Sequence, residues 1–97
     1  MATYIMLLNW TEQGIQNVKD SPKRLDSARK AFRAAGAKLK EFYMAIGRYD
    51  MVAVAEAPDD ETIARIALML GSAGNVRTET LKAFTEAEYR KIIGGLP

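Results

Sequence analysis

The segment Tyr4-Ile5-Met6-Leu7-Leu8-Asn9-Trp10 restricts the fold more than any other part of the chain. Along an extended backbone successive side chains point to opposite faces. Tyr4, Met6, Leu8 and Trp10 therefore share one side of a strand, and Ile5, Leu7 and Asn9 the other. Both sets are largely apolar, and a strand apolar on both sides belongs in a sheet covered on both faces. The chain has 97 residues, 48% of them hydrophobic. That is enough for one small core and leaves no room for a second, so residues 1–97 are read as one domain.

The remaining elements follow from caps and periodicity. Thr11 can cap a short helix through Ile15 to Val18, with Glu12 in its first turn. Ser21-Pro22 starts a longer helix, Ser as N-cap and Pro where a missing N–H costs nothing. Leu25, Ala28, Phe32 and Ala35 make its apolar stripe, and Gly36 ends it. Ala37 to Ile46 and Tyr49 to Ala57 read as strands joined by a tight type II′ turn at Gly47-Arg48. Such a turn opposes Ile46 to Tyr49, Met44 to Met51 and Phe42 to Ala53. Lys40, Phe42, Met44, Ile46, Tyr49, Met51, Ala53 and Ala55 then share one face; Leu39, Glu41, Tyr43, Ala45, Asp50, Val52, Val54 and Glu56 share the other. A turn two residues longer shifts the pairing and keeps the faces.

Pro58-Asp59-Asp60-Glu61 opens the next helix, its acids placed where the helix dipole favours negative charge. Ile63, Ile66, Ala67 and Leu70 form its buried stripe, and Gly71-Ser72-Ala73-Gly74 ends it. Asn75 to Phe84 is a fourth strand, and Thr85-Glu86-Ala87-Glu88 is a capping box launching a last helix with Tyr89, Ile92 and Ile93 on one side. The order β-α-β-β-α-β plus a C-terminal helix predicts a ferredoxin-like α+β fold, with a four-stranded antiparallel sheet and two helices on one face. The helices leave the other face bare although Ile5, Leu7, Val52 and Val54 lie on it. A second copy packed sheet to sheet covers it, so a homodimeric α+β barrel is expected.

The chain contains no Cys and no His. Disulfides, thiolate nucleophiles, His-dependent triads and His-ligated metals are excluded, and no cofactor or metal site is read from the residues. The acids Asp59, Asp60 and Glu61 are assigned to helix capping rather than to a metal. Residues 1–48 carry nine Lys or Arg against four Asp or Glu, and residues 49–97 five against eight. No aromatic side chains interleave with the basic residues, so they read as a solvated face and not as a nucleic-acid surface. The N-terminus lacks the marks of a signal peptide, and no apolar run is long enough for a membrane helix, so a cytoplasmic location without membrane partners is expected.

Gly47-Arg48-Tyr49-Asp50, followed by Met51 to Asp60, resembles the signature of the GYD domain family. Thr11…Gly14-Ile15, Lys19 to Arg24, Gly74 to Thr80 and Phe84-Thr85…Glu88-Tyr89 agree with it in order, so the resemblance covers nearly the whole chain. It implies a dimeric α+β barrel, in a bacterial family without an established biochemical activity. Gly47, Tyr49 and Asp50 are the motif residues it carries over. More distantly, the hairpin is similar to the effector-binding domain of the leucine-responsive regulators, here without room for a helix-turn-helix.

Asp50 falls on the face assigned to the barrel interior, with Glu41 and Tyr43; Trp10 and Tyr4 are candidates to line the same cavity. Aromatic walls with a few convergent polar groups suit an unidentified small molecule, and Arg77 is a candidate partner for Asp50. Lys23 and Arg24 sit in the first turn of a helix, where cations oppose the dipole, and are candidates for anion capture. Binding of a small molecule, as sensor or carrier, is the expected function. Two alternatives stand beside it. One is a cofactor-free monooxygenase- or isomerase-like enzyme using Tyr43, Asp50, Glu41, Trp10 and Arg77. The other is a structural role in assembly.

Overall fold

The computed structural model describes all 97 residues. Strand β1 (Ala2–Trp10) runs into a short helix α1 (Glu12–Gln16), a single 3-10 turn (Val18–Asp20) and helix α2 (Ser21–Ala34). Strands β2 (Lys38–Met44) and β3 (Met51–Ala57) form a hairpin; helix α3 (Asp60–Ser72), strand β4 (Val76–Ala83) and helix α4 (Glu86–Gly94) follow. The strands make one antiparallel sheet in the order β2-β3-β1-β4. The α+β ferredoxin-like fold expected from the element order is the fold found.

Several local expectations hold for the stated reasons. Thr11 accepts the Gly14 amide, Asp59 accepts the Thr62 amide, and Thr85 and Glu88 exchange the two hydrogen bonds of a capping box. Gly36 ends α2 at φ 78°, a conformation open to glycine and costly to other residues. Ser21 lies one position further in than expected: it is the first residue of α2, and Asp20 stands at the cap without a side-chain bond. Ala35 leaves the stripe for the exposed C-cap.

The core lies between the sheet and the helices. Tyr4, Met6 and Leu8 of β1, Met51, Ala53, Ala55 and Ala57 of β3, Phe32 of α2, and Ile63 and Ile66 of α3 are all buried in it. Large side chains among these contribute roughly 1.5–3 kcal/mol each. The opposite face carries Ile5, Leu7, Val52 and Val54 in adjacent register, bordered by Tyr43 and Leu81, and no element of the chain covers it. Tyr43 is 56% exposed and Leu81 45%.

Helix α4 buries no residue, and Tyr89, Ile92 and Ile93 stay about half exposed. The chain's radius of gyration is 14.6 Å, against about 12.5 Å for a compact chain of this length. The long dimension of 52 Å reflects that α4 packs on no other element to any extent.

The hairpin departs from expectation twice. A bulge between Leu39 and Glu41 shifts the register, so Leu39 pairs with Ala55 and turns into the core, while Glu41 and Tyr43 stay opposite Val54 and Val52 on the open face. Met44–Met51 and Phe42–Ala53 pair as expected, but no two-residue turn forms. The Asp50 amide donates both to the Leu8 carbonyl and to Asn9 Oδ1, each at 3.0 Å, which draws Asp50 onto β1. The hairpin therefore closes over a wider loop, fastened by the Ala45 amide on the Asp50 carbonyl at 2.8 Å. Gly47 sits within it at φ 152°.

Tyr4, Asp60 and Lys82 fasten α3 to the sheet. The Tyr4 hydroxyl donates to Asp60 Oδ1 at 2.5 Å, and Lys82 Nζ lies 3.3 Å from the same oxygen. Burial pushes the Tyr4 hydroxyl from 10.0 up to about 12, with the bond to Asp60 adding to the shift. A raised pKa means that the neutral phenol stabilises the fold fully below pH 10, and that this contribution is lost as pH rises through about 12. Denaturant unfolding is expected to show the gap between the wild type and Tyr4→Phe shrinking from pH 10 to pH 12. A gap constant over that window contradicts the assignment.

Candidate functional site

Between the sheet and the helices lies a cavity of about 460 Å³ that is half open to solvent. Its floor is Met6, Leu8, Met51 and Ala53 of the sheet, its far wall Leu39 and Phe42, and its roof Leu25, Ala28, Ala31 and Phe32 of α2 with Met69 and Leu70 of α3. The sequence creates the space directly. Ala28 and Ala31 of α2 and Ala53 of β3 are all among its lining residues, and small side chains leave room that larger ones would fill. Helix α2 lies mainly over β2 and α3 mainly over β4, and the two helices touch at few points. Asp20, Ser21, Lys23, Arg24, Ser27 and Asn75 add a polar side to otherwise apolar walls. A second space of about 270 Å³ lies beside Trp10, Pro22, Phe42 and Met44.

The mouth is braced by α1 and the 3-10 turn. Arg24 donates to the carbonyls of Asn17 at 3.0 Å and Gly14 at 3.3 Å. The Thr11 hydroxyl donates to the Gly74 carbonyl at 2.6 Å, and the Thr11 amide to the Asn75 carbonyl at 3.0 Å. Gly14 is buried against that carbonyl: a Cβ on Gly14 would stand 2.9 Å from the Asn75 carbonyl carbon and closer still to its oxygen. Thr11, Gly14, Gly74 and Asn75, two pieces of one sequence pattern joined across 63 residues by the Thr11–Gly74 bond, thus meet at a single junction beside the cavity.

The residues proposed from sequence are divided among three places. Lys23 and Arg24 line the main cavity. Trp10 lines the second space, on the helix side with Tyr4, and its indole donates to Ser21 Oγ at 3.4 Å. Neither Trp10 nor Tyr4 joins Glu41 and Tyr43, because strand alternation puts them on opposite faces of the sheet. Glu41 and Tyr43 lie on the open face, where the Tyr43 hydroxyl donates to Glu41 at 2.8 Å. Tyr49 also departs from its expected core-side face: its hydroxyl reaches Glu79 of β4 at 2.5 Å, on the open side. Each carboxylate, by accepting that bond, pushes its tyrosine's pKa up.

Asp50 lines neither space. Its carboxylate accepts the Trp10 amide at 3.0 Å and fixes the hairpin to the end of β1. Arg77 is exposed opposite Asn9 and takes part in none of the salt bridges. Gly47 lies in the open loop with free space where a side chain would be. Sequence reasoning missed the cavity itself. The one available signal was the run of small residues on the inner face of α2.

No helix is long and apolar enough to cross a membrane. A sequence profile described as the GYD domain matches residues 4–93. A protein of Thermus thermophilus, named glutamine synthetase and cystathionine beta-lyase binding protein, is 36% identical over 89 residues, covering 91% of this chain and 94% of the relative. A Thermus thermophilus protein of known crystal structure superposes with a TM-score of 0.56 at 26% identity, covering 88% of this chain and 95% of that one.

Proposed function

We propose that this chain, which belongs to the GYD domain family, is a homodimeric cytoplasmic binding module that holds a small molecule between its sheet and helices α2 and α3. The observation that carries the reading is the cavity of about 460 Å³ with apolar walls and a polar side confined to α2, the turn before it and Asn75. Its size falls in the range of sites that enclose small organic ligands, roughly 300–1,000 Å³. Glu41, Tyr43, Asp50 and Arg77, the candidates for acid–base chemistry, stand outside it, which favours binding over catalysis.

The dimer rests on the bare sheet face. Ile5, Leu7, Val52 and Val54 form a contiguous apolar surface that two-fold packing against an identical surface covers. A second reading, docking onto other proteins, is favoured by the name of the Thermus relative and by the uncovered side of α4.

The binding reading is tested with N-phenylnaphthylamine, a neutral dye that brightens in apolar surroundings. Saturable binding of one dye per chain is expected. Ala28→Phe, which places a ring into the cavity from its roof, is expected to weaken dye binding by about tenfold or more while helicity is kept. Absence of saturable binding by the wild type overturns the reading.

A further inference from the structure

The polar side of the cavity has a sign. Lys23 and Arg24, adjacent in the first turn of α2, both contribute to the lining. Neither takes part in a salt bridge, whereas Lys40, Arg65, Lys82 and Arg90 each hold a carboxylate. Arg24 spends two N–H groups on the neutral carbonyls of Asn17 and Gly14, which fixes its position without neutralising it. Asp20 is the single acid among the lining residues, so the mouth keeps an excess of positive charge. Ser21 and Ser27 also belong to that side of the lining. A cation in the first turn of a helix works against the helix dipole, and an anion beside it relieves that opposition. Beyond this rim the accessible lining is apolar: Leu25, Phe42, Met69, Leu70 and Val76 offer nothing to a second charge.

Resting on the reading of the cavity as a ligand site, we infer that its ligand is an amphipathic monoanion, a carboxylate on an aliphatic or aromatic body. The body lies among Leu25, Phe42 and Met69, and the carboxylate meets Lys23 at the mouth. The volume of about 460 Å³ lies within the roughly 300–1,000 Å³ of sites that take small organic ligands. A fatty acid of medium length is therefore a suitable probe.

The test displaces N-phenylnaphthylamine with dodecanoate, dodecanol and dodecylammonium, which share one tail and differ in charge. Dodecanoate is expected to displace the dye at concentrations about tenfold lower than dodecanol, with dodecylammonium weakest. Added salt is expected to narrow the difference. Lys23→Glu, at an exposed position, should weaken dodecanoate by about tenfold and leave dodecanol unchanged, with Lys23→Gln in between. Equal displacement by all three probes, or no response to either Lys23 variant while the dye still binds, overturns the anion assignment and leaves the cavity reading standing. Failure of the dye to bind at all overturns the cavity reading, and the assignment with it.

Discussion

Gly14→Ala is expected to destabilise the protein by about 3 kcal/mol and to lower Tm by roughly 15 °C. The added methyl would enter the space held by the Asn75 backbone, standing 2.9 Å from the carbonyl carbon and nearer to the oxygen. The carbonyl cannot withdraw freely, because it accepts the Thr11 amide at 3.0 Å, and the preceding Gly74 carbonyl accepts the Thr11 hydroxyl at 2.6 Å. Relief of the clash therefore breaks the junction that holds α1 and the start of β4 together. Gly71→Ala supplies the contrast. Gly71 lies inside α3 with nothing within 4 Å of a new Cβ, and there alanine is expected to stabilise by about 0.5–1 kcal/mol. Thermal unfolding of both variants is the measurement. A Gly14→Ala protein that melts with the wild type contradicts the packing described for Asn75.

Val52→Asp is expected to convert the proposed dimer to monomers at micromolar concentration, leaving the chain folded. Val52 lies between Leu7 and Tyr43 in register on the open face. In a free chain a carboxylate there reaches water. In a sheet-to-sheet dimer it would be enclosed by aliphatic side chains, at a cost of several kcal/mol. Sedimentation should show a mass near the chain's 10.7 kDa for the variant and twice that for the wild type, with unchanged far-UV circular dichroism. Val52→Thr, similar in shape and uncharged, should remain a dimer. A monomeric wild type, or a dimer indifferent to Val52→Asp, contradicts the assembly.

Elements were legible in the sequence where one local cause sets them. Thr85 and Glu88 announce the capping box, Asp59 the start of α3, and Gly36 the end of α2, because each satisfies backbone groups within a few residues. Pairing of Met44 with Met51 was legible too. The errors have tertiary causes. Leu39 turns inward because a bulge, which periodicity does not announce, inserts a residue. Tyr49 reaches Glu79 in a hairpin whose loop is wider than a two-residue turn, with the Asp50 amide bonded to β1.

The candidate site was less legible for a related reason. The pattern Thr11…Gly14 was visible, but its partner Asn75 lies about 60 residues away and announces itself only as a close backbone approach. Trp10, Glu41, Tyr43 and Asp50 drew attention as chemically capable groups, yet strand alternation and the Asp50–β1 bonds divide them among separate places. The cavity arises from what Ala28, Ala31 and Ala53 lack, and small residues announce themselves less than charged ones. Lys23 and Arg24 were legible as misplaced against the helix dipole; the cavity they line was not.

The cavity reading is tested most directly by following labelled Met and Val methyl groups by NMR as dodecanoate is added. Met6, Met51 and Met69, which line the cavity, are expected to shift progressively and saturate together while Val52 and Val54 on the open face stay in place. Shifts at Val52 and Val54 with Met6 and Met51 unmoved would contradict that reading and place binding on the bare face of the sheet.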